Sequence, residues 1–135
     1  MAYKIEEIES IGPATAAKMA KAGITTVEDL MEQAHSKAGR KKVSELTGIG
    51  ESQLLTFVNM GDLMRIKGVG SEFSELLQAS GVDTVKEFRT RNAANLEVKM
   101  NEVNATKKLT RRVPTESQLQ EFINIAKTLE PMVTH

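Results

Sequence analysis

Cysteine and tryptophan are absent from this 135-residue chain, proline occurs three times, and its aromatics are Tyr3, Phe57, Phe73, Phe88 and Phe122. Without cysteine there are no disulfides and no thiolate metal sites, and the compartment is left open by redox chemistry. Charge of one sign is missing as well: 18 Lys and Arg balance 18 Asp and Glu. No overall field draws the chain to nucleic acid or to an anionic membrane, so any basic surface must be local. Long apolar runs are lacking. The opening MAYKIEEIESIGPA has no apolar core of signal-peptide length, and no segment approaches the roughly 18 apolar residues of a membrane span. A soluble, cytoplasmic protein with no membrane partner is the expectation. With so few aromatics the core must rest on Leu, Ile, Val, Met and Ala, which suits packed helices better than a sheet. The expected fold class is all-α.

What the chain does have is glycine in pairs. In LMRIKGVGSEFSELL, residues 63–77, Val69 stands between Gly68 and Gly70, with Leu63 and Ile66 before and Phe73, Leu76 and Leu77 after at helical spacing. Two glycines inside a helix would cost roughly 1 kcal/mol each against alanine, so the pattern reads as helix, tight turn, helix. GIG at 48–50 and SIG at 10–12 are similar.

The pattern repeats internally. GITTVEDL at 23–30 and GVDTVKEF at 81–88 are related by a shift of 58, which also sets Ile11 and Gly12 on Val69 and Gly70. ESQLLTFVN from Glu51 matches ESQLQEFIN from Glu116 at a shift of 65, implying about seven extra residues in the second half. That shift sets GIG on VPT at 113–115, where proline and an N-capping threonine replace glycines. Each copy reads as helix, hairpin, helix, connecting helix, helix, hairpin, helix. Gly23 and Gly81 stop helices, and Thr26 with Asp29, like Thr84 with Glu87, supplies an N-cap and an acid three residues on. Leu54, Phe57, Val58 and Gly61 form one stripe and Leu119, Phe122, Ile123 and Ala126 another, both read as core, with the seven methionines as gap-fillers. We expect one domain, 1–135, of eight to ten short helices, formed by two pseudo-symmetric copies, 1–61 and 62–135, that share one core.

The stretches SIGPATAAKM, TGIGESQLL and KGVGSEFSELL resemble the helix-hairpin-helix motif. The whole arrangement, through VNATKKLTRRVPTESQLQEFINIAK, is similar to the uncharacterised family termed domain of unknown function 4332. The resemblance implies a tandem helix-hairpin-helix-like fold without established activity; members of the wider motif class often bind the DNA backbone without reading sequence.

Elementary electrostatics supplies a reason. A glycine turn at a helix start leaves backbone N–H groups uncovered, and the helix dipole favours an anion there. Candidate phosphate cradles are Gly68, Gly70 and Ser71; Gly48, Gly50 and Ser52; and Gly12 with Thr15. Lys67 stands beside the first, and Lys18 with Lys21 follows the last. If Gly70 has positive φ, an added Cβ would strain its turn. Two basic runs add Arg40, Lys41 and Lys42, preceded by Lys37, and Lys107, Lys108, Arg111 and Arg112. Against this, Glu51, Glu72 and Glu116 sit at helix starts, where a carboxylate satisfies the dipole itself and repels phosphate.

Catalytic chemistry finds little. His35 and His135 are the only histidines, no metal-ligand or phosphate-loop spacing occurs, and the glycine turns lack the preceding strand of a dinucleotide site. The expectation is a binding protein rather than an enzyme, without metal, cofactor or small-molecule substrate. Its partner is expected to be a DNA or RNA backbone; the alternative is a protein, with the hairpins serving only helix packing.

Overall fold

The computed structural model describes residues 3–135. The described chain is all-α: a 3-10 turn Ile5–Glu7 is followed by eight α-helices. These are α1 (Pro13–Ala20), α2 (Val27–Ala34), α3 (Lys37–Thr47), α4 (Glu51–Leu63), α5 (Ser71–Ala79), α6 (Val85–Phe88), α7 (Ala93–Lys107) and α8 (Glu116–Ala126). Extended pairing among the described residues is limited to an antiparallel bridge between Lys4 and Thr26. No described helix is long and apolar enough to cross a membrane. The chain divides into two compact units, Met1–Asp62 with Met132–His135, and Leu63–Pro131.

In the first unit, the helix expected ahead of Gly12 shrinks to one 3-10 turn, because the Glu7 carboxylate turns back to accept from the Lys4 N–H at 2.7 Å. Gly23, at φ +77°, closes α1 and lets Ile24 N–H reach the Met19 carbonyl. Thr26 then starts α2 with a reciprocal cap. Its hydroxyl accepts from Asp29 N–H at 3.0 Å, while the Asp29 carboxylate accepts from the N–H groups of Thr25 and Thr26 at 3.0 and 3.1 Å. The Thr25 N–H bond chiefly holds the Asp29 carboxyl below its ordinary pKa, with burial opposing it and the Thr26 bonds assisting. The stripe Leu54, Phe57 and Val58 of α4 is buried, as are Met19, Met31 and Met60. Met1 lies outside the described residues.

In the second unit, Leu76 and Leu77 of α5, Leu96 and Met100 of α7, and Leu119, Phe122, Ile123 and Ala126 of α8 belong to one buried cluster. Gly81, at φ +94°, ends α5 as Gly23 ends α1. Arg91 locks the short α6 by donating to the Gly81 carbonyl at 2.8 Å and pairing with Glu87. Asn92 caps α7 through Asn95 N–H at 3.0 Å.

Candidate functional site at the glycine turns and basic segments

The turn 68–70 divides its work between its two glycines. Gly68 carries the left-handed backbone, φ +97°, and a Cβ built there would stand 2.9 Å from the Phe122 ring. Gly70 is extended, φ −96°, and an added Cβ meets nothing within 4 Å. The positive φ considered for Gly70 therefore belongs to Gly68, and the reason is packing: the chain reverses over the edge of Phe122 while Val69 plugs into the core beneath. Phe73 in turn lies against Phe122, with ring centroids 6.3 Å apart. Gly70 is the N-cap of α5 without a side chain to serve as one. The first N–H groups of α5 are thus covered by no capping side chain, with Lys67 and Glu72 exposed nearby in sequence.

The other turns differ in how many donors they leave. Gly12 is the N-cap of α1 and also lacks a side-chain cap, but Pro13 at the first helical position has no N–H to offer. Thr15 is half-buried there, whereas Lys18 and Lys21 are exposed. Gly48 ends α3 at φ +79°, its N–H bonded to the Ser44 carbonyl at 2.8 Å; Ile49 is buried, and Gly50 leads into α4 with Glu51 and Ser52 exposed. The turn 113–115 is spent. Thr115 accepts from Gln118 N–H at 3.2 Å, and the Glu97 carboxylate accepts from Glu116 N–H at 2.9 Å.

The two basic runs part company. Lys37, Lys41 and Lys42 are exposed on α3, but Arg40, expected beside them at the surface, is 3% exposed. Its guanidinium donates to the carbonyls of Ala34 and His35 at 3.0 and 2.9 Å, closing the C-terminal end of α2, and to that of Thr134. A charged fork suits the negative end of the helix dipole. Burial lowers the Arg40 pKa, and the charge of Glu51 works against that shift. Arg40 is thereby removed from the exposed cation set.

Lys107, Lys108, Arg111 and Arg112 all stay exposed. Lys108 is the left-handed C-cap of α7, φ 51°. The loop behind it is clamped, because the Asn104 amide donates to the Thr110 carbonyl and accepts from the Thr110 N–H, each at 3.0 Å. Thr110 hydroxyl then donates to the Arg112 carbonyl at 3.0 Å, and Leu109 and Val113 anchor the loop against the buried cluster. Arg111 and Arg112 therefore ride on a pinned loop, with Lys107 and Lys108 at the helix end before it.

The profile of the family described as Domain of unknown function (DUF4332) matches residues 9–129. The chain belongs to this family. The match takes in all four turns and both basic segments of the DUF4332 chain. No curated protein and no solved structure matches it.

Turns 10–12 and 48–50 with the α3 lysines belong to one unit of this family member, and turn 68–70 with segment 107–112 to the other. Among the described residues, no three His, Cys, Asp or Glu gather to hold a metal. His35 caps α2, its Nδ1–H donating to the Met31 carbonyl at 2.8 Å. Sequence reasoning missed Asn104, Glu97 and the inward turn of Arg40. Nothing in the sequence sets Arg40 apart from its neighbours; in the fold, Gly39 beside it lets α3 start against the Gln33 carbonyl, where a Cβ would fall 2.1 Å from the oxygen.

Proposed function

We propose that this DUF4332 protein is a non-enzymatic binding protein that holds the nucleic-acid backbone without reading its sequence, its turns being tandem helix-hairpin-helix elements in two copies. The observation that carries this reading is segment 107–112, four exposed cations at the end of α7 and on the loop that Asn104 pins behind it. Lys107 and Lys108 also offset the negative end of α7, but Arg111 and Arg112 lie beyond it and have no such structural role. A pinned loop loses little freedom when phosphates engage it, and each phosphate neutralised releases counterions. The uncapped start of α5, with Lys67, adds backbone donors in the same unit.

Titrating a labelled duplex at several salt concentrations tests this. Affinity should fall steeply with salt, and replacing Lys107, Lys108, Arg111 and Arg112 by alanine should flatten the log–log slope by roughly one for each phosphate that is no longer neutralised. Absence of binding at low salt overturns the reading. A protein partner is then preferred, for which the supporting feature is a groove on α1 lined by Pro13, Ala16, Ala17 and Ala20 with Ile5 and Ile24. Such small side chains let another helix approach closely.

A further inference from the structure

Arg40 does more than close α2. Of its three acceptors, Ala34 and His35 lie a few residues away on the chain, whereas Thr134 is 94 residues distant. Thr134 is held at both of its backbone groups: its N–H donates to the His35 carbonyl at 2.9 Å and its carbonyl accepts from the Arg40 guanidinium. The His35 carbonyl serves Thr134 and Arg40 together. Met132 and Val133 are half-buried, while the side chain of Thr134 stands exposed. Both bonds fall on the backbone of one residue, met by a helix-end carbonyl and an arginine rather than by a strand. The contact reads backbone groups rather than a side chain.

We infer that the α2–α3 turn is a docking slot for an extended peptide, with the His35 carbonyl as acceptor, Arg40 as donor, and the chain's own segment Met132–His135 as resident occupant. Gly39 shapes the slot: its lack of a side chain lets α3 start against the Gln33 carbonyl, which sets Arg40 on the last carbonyls of α2. Ser36 fixes the same start by accepting from Gly39 N–H at 3.0 Å. The resident segment is tethered, so its effective concentration at the slot is on the order of millimolar, and a free peptide competes poorly until the tether's own hold is broken.

The test keeps the full chain. Thr134→Pro deletes the N–H that His35 accepts and retains both the length and the carbonyl that accepts from Arg40. A fluorescein-labelled peptide of residues 130–135 is titrated into this variant and into wild type. At least tenfold tighter binding to the variant, with amide shifts confined to residues around His35, Ser36 and Gly39, is the expected result. Equal binding to both, or binding to neither with helical content retained, overturns the inference. Hydrogen exchange on wild type stands independently of how the variant folds. The Thr134 amide should exchange at least tenfold more slowly than in an unstructured peptide, and exchange at the unstructured rate overturns the slot as well.

Discussion

Turns 48–50 and 68–70 share a pattern, isoleucine or valine between glycines, and their first glycines share left-handed backbone at φ +79° and +97°. Their surroundings separate them. A Cβ at Gly48 meets nothing within 4 Å, whereas one at Gly68 would press on Phe122 at 2.9 Å. The first glycine of each turn therefore answers to backbone conformation, and only at Gly68 does a neighbouring ring demand it a second time. The second glycines, Gly50 and Gly70, answer to neither. A motif of the same pattern is thus two different constraints, and the residues tied to function are best sought at the positions that packing leaves free.

The largest expected effect tests the first glycines. Gly68→Ala should cost about 2 to 4 kcal/mol, adding left-handed strain to a clash with a packed ring, while Gly48→Ala should cost only about 1 to 2 kcal/mol from strain alone. Urea denaturation of both variants checks the ordering, and equal losses would break the comparison. Next comes its cause. Adding Phe122→Leu to Gly68→Ala should show coupling of about 1 kcal/mol, because the smaller side chain relieves the clash that the alanine creates. A double-mutant cycle that sums without coupling would assign the whole cost to φ.

Gly70→Ser sharpens the other half of the contrast. The space at Gly70 is open and α5 has no side-chain cap. The serine hydroxyl should accept from the first turn's N–H groups and raise stability by only a few tenths of a kcal/mol, roughly the N-cap difference between serine and glycine. If those groups serve a phosphate, duplex affinity should fall in the same variant, so stability and binding move in opposite directions. A stability gain with unchanged binding would leave the α5 start out of the interface.

The smallest effect compares the capped starts of α2 and α6. Asp29 returns a bond to its cap and Glu87 makes no such return in the described geometry. Because the folded Asp29 pKa is depressed, its contribution is present above the unfolded value near 3.8 and is lost as pH falls through the folded value. Asp29→Asn should therefore be slightly less stable than wild type at neutral pH, and thermal melts of the two should converge on acidification into that range. Of the two acids, only Asp29 accepts from its own N-cap.

Much of the fold could be read from local pattern. Thr26, Thr84 and Thr115 each cap the helix that follows, Gly23 and Gly81 take left-handed φ where helices stop, and the stripes of α4 and α8 are buried. Caps, stops and stripes depend on neighbours within four residues, which is the range over which spacing carries information. The four cations of 107–112 could likewise be picked out as exposed candidates from composition alone. Arg40 could not be separated from Lys41 and Lys42, because its burial depends on carbonyls at the end of another helix and on a residue 94 positions away.

The sequence by itself determined the class, the helix starts at Thr26, Thr84 and Thr115, the stops at Gly23 and Gly81, and the places where charge is present. Tertiary structure decided which of equivalent letters does which work: that Gly68 yields to Phe122 while Gly70 stays open, that Glu97 consumes the donor at Glu116, that Asn104 pins the basic loop, and that Arg40 turns inward. The physical reason is range. Capping and turn chemistry act between residues close along the chain, whereas steric packing and hydrogen-bond partnership across the fold arise only once burial has brought distant residues together.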